Sequence, residues 1–208
     1  MKIKKTMRRV QSTVLSSIFM LCVVSLLVPP FPVRATVKGE QFSALGYLPA
    51  GAGVRMVGAG ATMNLNIYIN EYTSDADAQE LAKTLIENGS DALLKALEKR
   101  DSIGKVQLVR KVGFFDLKLI RSRPLEGGGR RIVGVCDRPI QFLEMYQGSR
   151  SQDYTFGIVI LDLKPNKKGR EEGTGQLIYA AKVKLDGKTV EVENYGVEPA
   201  RLQGVRKL

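Results

Sequence analysis

Met63-Asn64-Leu65-Asn66-Ile67-Tyr68-Ile69-Asn70 decides the fold class, because its apolar residues recur at every second position. Met63, Leu65, Ile67 and Ile69 fall on one side of an extended chain, and Asn64, Asn66, Tyr68 and Asn70 on the other. The alternation predicts a half-buried strand over residues 63–72. The period then becomes helical. Thr73 and Ser74 are capping residues, and Asp75 and Asp77 stand in the first turn, where the helix dipole favours acids. Ala78, Leu81, Ala82, Leu85 and Ile86 follow at helical spacing up to Gly89, a natural stop. Ser90 and Asp91 open a second short helix, with Leu93, Leu94 and Leu97 on its apolar side and Lys99-Arg100 at its end. The leucine stripe reads as packing against a sheet rather than as a docking face for a partner.

Downstream, nearly everything reads as strand and turn. Residues 105–111 and 115–121 form an expected hairpin, with Phe115, Leu117 and Leu119 on one face against Asp116 and Lys118. The loop Pro124-Leu125-Glu126-Gly127-Gly128-Gly129 leads into a strand at 130–136. The apolar run 156–163 predicts a central strand buried on both faces. Residues 164–173 read as a charged, exposed and mobile loop. Leu177, Tyr179, Ala181, Val183 and Leu185 alternate next, and Asp186-Gly187 marks a tight hairpin. Val190 and Val192 alternate with Glu191 and Glu193 on the return. Residues 201–206 read as an edge strand whose basic side chains discourage aggregation. Upstream, residues 36–61 are rich in Gly and Ala and weakly patterned, with a short strand at 54–57 between Gly51-Ala52-Gly53 and Gly58-Ala59-Gly60. Neither glycine pair continues into a phosphate-cradling motif.

The expected fold is therefore α+β: a mostly antiparallel sheet of about seven to eight strands with a pair of short helices packed on one face. The expected organisation is a leader at 1–35, a Gly/Ala-rich segment at 36–61, and a single α+β domain at 62–208.

The leader reading rests on charge and hydropathy. Lys2, Lys4, Lys5, Arg8 and Arg9 form a basic opening without an acid, and residues 14–28 an apolar run broken only by serines and Cys22. Pro29, Pro30 and Pro32 end any helix, and Val33-Arg34-Ala35 places small residues where a signal peptidase reads. Residues 1–35 are expected to be a secretory signal peptide, cut between Ala35 and Thr36. The alternative is a retained N-terminal anchor, for which the run falls short of the roughly 20 residues that span a bilayer. Cys22 follows bulky Met20 and Leu21, not the small residues of a lipoprotein signal. Cleavage would remove six of the 32 basic residues and none of the 21 acidic ones, so the net charge falls from +11 to +5. That is ordinary solubility charge, and no nucleic-acid partner is expected.

The absence of histidine removes Ser-His-Asp and Cys-His catalysis and nearly all zinc and copper sites. Cys136 would be the one cysteine of the processed chain, so no internal disulfide is expected. It reads as a small buried hydrophobe rather than a nucleophile. The chain also lacks tryptophan, which weakens a carbohydrate-stacking reading. In Asp137-Arg138-Pro139 the proline ends a strand ladder, since it has no N–H to give. Arg121, Arg123, Arg130, Arg131 and Arg138 gather around one hairpin region and are a candidate contact for an anion or partner, weighed against solvated surface charge. Glu144, Asp153, Asp162, Glu191 and Glu193 have no spacing that fixes two on a shared site. Tyr68 and Tyr72 are expected on the polar strand face with the asparagines, as a hydrogen-bonding ladder or simply a solvated surface. No catalytic, cofactor-binding or metal-binding residue is assigned, and no cofactor is expected.

Several phrases resemble a family of uncharacterised exported bacterial proteins: Glu87-Asn88-Gly89-Ser90-Asp91-Ala92-Leu93, Gly127-Gly128-Gly129-Arg130-Arg131-Ile132-Val133, Asp137-Arg138-Pro139-Ile140, and Glu193-Asn194-Tyr195 followed by Pro199-Ala200-Arg201-Leu202. The resemblance covers roughly residue 63 to the end and implies an autonomous exported domain. It carries no activity. The expectation is a periplasmic or secreted, non-enzymatic binding domain whose partner is an envelope protein or a small ligand. Membrane contact is expected only through the leader before cleavage. The alternatives are a carrier holding a small apolar ligand in a cavity between sheet and helices, and a carboxylate-based hydrolase.

Overall fold

The alternating apolar positions of the second strand need a covered face, and the chain supplies one by closing its sheet on itself. The computed structural model describes residues 39–48, 61–110, 112–140, 154–186, 189–194 and 198–208. Its strands are β1 (Glu40–Leu48), β2 (Ala61–Ile69), β3 (Gly104–Leu108), β4 (Phe115–Pro124), β5 (Arg130–Cys136), β6 (Phe156–Pro165), β7 (Glu171–Asp186), β8 (Thr189–Asn194) and β9 (Ala200–Lys207). Each of β1 to β7 pairs antiparallel with the strand that follows it, and β9 joins β7 to β1. Eight strands thus close a barrel, and β8 is an extra strand on β7.

β8 and β9 lie one after the other along the same edge of β7. The pairs run from Asp186 with Thr189 to Ala181 with Asn194, then from Leu177 with Ala200 to Glu172 with Arg206. The last two strands therefore act as one interrupted return strand, and the barrel is an up-and-down meander. The expected sheet is mostly antiparallel, as found, but it is closed rather than open. The strand expected at the edge, β9, is held on both sides by β1 and β7.

The barrel is filled. Phe42, Leu65, Ile67, Val106, Leu117, Ile120, Ile132, Leu161, Leu177 and Leu202 point inward and are essentially excluded from solvent. Residue for residue, closure buries the inward phase and leaves the outward phase of β2 and β3 to Asn64, Asn66, Lys105 and Gln107, the reverse of an outer-membrane barrel.

A single helical segment, α1 (Asp75–Glu98), connects β2 to β3 outside the barrel. Ile69 and Gly104 are paired neighbours, so the connection must return to where it left. A straight helix of 24 residues would carry the chain roughly 36 Å away. Gly89 resolves the conflict with a non-helical φ of 80° and ψ of −173°, a combination open essentially to glycine alone. The helical stretch runs as one segment from Asp75 to Glu98 with two arms that break at Gly89, where the sequence places a stop. Asp77 near its start meets Arg100 just past its end, Nη1 to Oδ1 at 2.9 Å. Leu81, Leu85, Leu93 and Leu97 pack onto the outside of the barrel against Phe156, Ile158, Ile178, Ala181 and Val183. This is why β6 is buried on both faces: Val159, Leu161 and Leu163 face in, while Phe156 and Ile158 lie beneath the helix. These side chains form a continuous apolar layer between α1 and the barrel.

Other departures have local causes. A register irregularity in the pairing of β4 with β5 between Leu117 and Leu119 turns Leu119 outward to the helix and Ile120 inward, so Phe115, Leu117 and Leu119 do not share one face. A second irregularity in the pairing of β6 with β7 places Leu177 and Tyr179 inside but Ala181 and Val183 outside. Half of the stretch 164–173 is strand: β6 runs to Pro165 and β7 starts at Glu171, which leaves a turn at residues 166–170. Residues 40–48, expected to be weakly patterned, form a full barrel strand, so the domain includes residues before 62. The expected strand at 54–57 lies outside the described residues.

Candidate functional site

At one end of the barrel, four strands finish their inward phase on a charged residue. Glu40 opens β1, Arg130 opens β5, Glu171 opens β7 and Lys207 closes β9. Tyr72, just past β2, completes the group. Arg130 forks onto Glu171, Nε to Oε1 at 2.7 Å and Nη2 to Oε2 at 2.6 Å. The same guanidinium reaches Glu40, Nη2 to Oε1 at 2.8 Å and Nη1 to Oε2 at 3.2 Å. Tyr72 accepts from Nη1 at 3.0 Å and donates to Glu40 Oε2 at 2.5 Å. Lys207 Nζ lies 2.5 Å from Glu40 Oε1 and 3.6 Å from Glu171 Oε2.

Two cations and two anions thus cap the apolar interior with no net charge. Burial alone would raise the Glu40 carboxyl, whose side chain is only 7% exposed, but the donors Arg130, Lys207 and Tyr72 outweigh it and hold the pKa at about 2. Burial, together with the adjacent Glu40 carboxylate, pushes the Tyr72 hydroxyl up. Burial works against the Arg130 charge, and the hydrogen bonds it donates to Glu171 and Glu40 more than restore it. Glu40 and Glu171 do converge, but the Glu40 carboxyl is lowered, whereas a general acid at neutral pH needs one raised. The geometry is that of a structural cap.

The second gathering of charge is the cleft between the two arms of α1. It encloses about 520 Å³. Leu81, Ala92 and Ala96 give it apolar walls, Asp77 and Glu80 line the first arm, and Lys95, Lys99 and Arg100 line the second or its end. Arg100 is spoken for: it donates to Asp77 at 2.9 Å and to Glu80 at 3.2 Å. Hydrogen bonds from Ser74 and Arg100 lower the Asp77 carboxyl. Among the described residues, the exposed Lys95 and Lys99 side chains have no such partner. The cleft therefore presents Lys95 and Lys99 beside an acidic arm, Asp77 and Glu80, that the single Arg100 guanidinium neutralises in part.

The five arginines singled out by sequence do not converge. Arg123 and Arg131 are cross-strand partners on the outer face of β4 and β5, and Arg121 shares that face. Arg121 donates to the Thr73 carbonyl at 2.7 Å and to Asp75 at 2.5 Å. Arg131 forks onto Asp162 at 2.6 and 2.7 Å, which lowers the Asp162 carboxyl. Arg130 points into the barrel, and Arg138 lies past the far end of β5, donating to the Phe114 carbonyl at 2.8 Å. Cys136 is buried in the core, where loss of solvent pushes its thiol up. Tyr72 belongs to the cap rather than to a ladder with Tyr68. Glu193 accepts from Tyr154 at 2.6 Å, and Glu144 and Asp153 lie outside the described residues. Among the described residues no acidic and cysteine side chains are grouped to hold a metal ion.

Comparison with protein-family models, with curated proteins and with solved structures finds no match.

Proposed function

We propose that this chain is exported and that its processed domain is a non-enzymatic binding domain, taking a small anionic ligand in the cleft of the bent helix. The observation that carries this reading is a contrast between the two charged sites. At the barrel end Arg130 spends its donors on Glu40, Glu171 and Tyr72, whereas in the cleft Lys95 and Lys99 stand free over an open volume of about 520 Å³. That size suits a small metabolite, and two unpaired ammonium groups favour a carboxylate or phosphate. Export is supported by the leader and by where the first strand starts. The unit that holds the barrel runs from Val37 to Leu208, so cleavage after Ala35 would leave every described element in place.

Native mass spectrometry of the protein purified from the envelope fraction tests both halves. The mass should correspond to a chain beginning at Thr36, with a small anionic adduct that Lys95→Glu/Lys99→Glu abolishes. An intact leader refutes export by cleavage, and an adduct-free wild type refutes the cleft as a resident-ligand site.

A further inference from the structure

We propose that the tip of the β3–β4 hairpin, through Val109, Arg110, Val112 and Phe114, is a contact element for an anionic lipid surface. Of the seven large hydrophobic side chains exposed among the described residues, three sit on this one tip: Val109 at 38%, Val112 at 107% and Phe114 at 42%. The others, Leu45, Ile86, Val192 and Leu208, come from separate elements. A clustered group of this kind is what marks an interaction surface, whereas single exposed apolar residues are ordinary.

Cations surround the tip. Lys105 Nζ stands 4.3 Å from the centre of the Phe114 ring and 5.3 Å from that of Tyr68. Arg138 lies 5.5 Å from the Phe115 ring and donates to the Phe114 carbonyl at 2.8 Å. Arg110 occupies the turn itself with φ 71°, the positive-φ position among the described residues that is not filled by glycine. That conformation is costly for a long side chain, so the turn keeps an arginine where glycine or asparagine would fit with less strain. No acid stands among Val109, Arg110, Val112, Gly113 and Phe114. Asp116 and Asp137 on the adjoining strand ends are engaged by Ser102 at 3.0 Å and by Lys118 at 3.8 Å.

The shape and the charge together select the partner. A protruding turn with Val112 fully exposed offers no groove to receive a peptide. A bilayer surface yields around such a turn, seating apolar side chains at the acyl boundary and Lys and Arg among anionic headgroups. The hairpin runs from Gly104, at the end of the barrel that bears the Arg130 cap, so its tip lies at the other end, away from that cap. The contact is independent of the helix cleft and survives or fails without it.

The test is co-sedimentation of the processed wild-type protein with vesicles of phosphatidylcholine alone and of equal parts phosphatidylcholine and phosphatidylglycerol. Binding is expected to the mixed vesicles only and to weaken in high salt. Val112→Ser/Phe114→Ser should reduce partitioning at least about tenfold, and Arg110→Gly, which relieves the turn while removing its charge, about fivefold. Neither variant should melt below the wild type, since these side chains are exposed and Arg110→Gly removes a strained backbone position. Equal sedimentation with both vesicle types, wild-type partitioning of Val112→Ser/Phe114→Ser, or absence of sedimentation while the tip crosslinks to an envelope protein would each overturn the proposal. None of these outcomes bears on the adduct measured for the cleft.

Discussion

Glu40→Gln removes one negative charge from the centre of the barrel cap while keeping the side chain's shape. In the wild type the carboxylate is held at about pKa 2 against an ordinary value of 4.5. That difference corresponds to roughly 3 kcal/mol of stability at neutral pH. The folded pKa is depressed, so this contribution is fully present above about pH 4.5 and is lost progressively as pH falls toward about 2. Replacing the carboxylate leaves Arg130 to share Glu171 with Lys207, and a buried charge short of its partner costs about 3–5 kcal/mol. Urea unfolding followed by circular dichroism, run near pH 7 and again near pH 3, separates the two effects. Near pH 7 the variant should be less stable by about 3 kcal/mol or more, and the gap should narrow toward pH 3 as the unfolded wild-type chain protonates Glu40 while the folded one still holds its charge. A variant as stable as the wild type at neutral pH, or parallel acid profiles for both proteins, would refute the cap as a stabilising network.

Three further outcomes follow from the packing. Gly89→Ala should destabilise by about 1–3 kcal/mol, because its backbone conformation is essentially closed to residues with a Cβ; a melting temperature unchanged within error would mean that the helical segment is not bent as described. Leu97→Ala empties a fully buried position between helix and barrel and should cost about 2–5 kcal/mol in denaturant unfolding; a cost below about 0.5 kcal/mol would place the helix elsewhere. Cys136 should resist a thiol reagent in the folded protein and react once it is unfolded; prompt labelling of the native state would contradict its burial.

The parts of the fold legible in the sequence are those whose inward positions carry large side chains. Leu65, Ile67 and Ile69 announce β2, and the apolar run of β6 announces a strand covered on both sides. β1 was hidden because two of its inward positions are Ala44 and Gly46. They are small because the barrel is crowded there: a Cβ on Gly46 would stand 2.9 Å from Leu65 Cδ1. The start of β7 was hidden for the same reason. Gly173 and Gly175 face inward with no side chain, and a Cβ on Gly173 would lie 1.8 Å from the Asp162 carbonyl oxygen. Closure itself is not written in any one strand, since it depends on β9 reaching both β7 and β1.

The cap was missed because each of its charges lies far from the others in sequence. A signal was nevertheless present. Arg130 is in phase with Ile132 and Cys136, and Glu171 with Leu177, so both are charged residues on an apolar face at a strand end. The arginine cluster failed to form one site because adjacent strand positions point to opposite sides, which separates Arg130 from Arg131 at once. The helix cleft was not legible: its charged residues read as ordinary helix-end and surface positions, and its shape follows from the conformation of Gly89.

The functional account turns most directly on what the cleft holds. A crystal structure of the protein purified from the envelope fraction should show density for a small anion between the arms of α1, within hydrogen-bonding distance of Lys95 and Lys99. A cleft containing only solvent, with both lysines folded back onto Asp77 and Glu80, would contradict the binding function proposed for this domain.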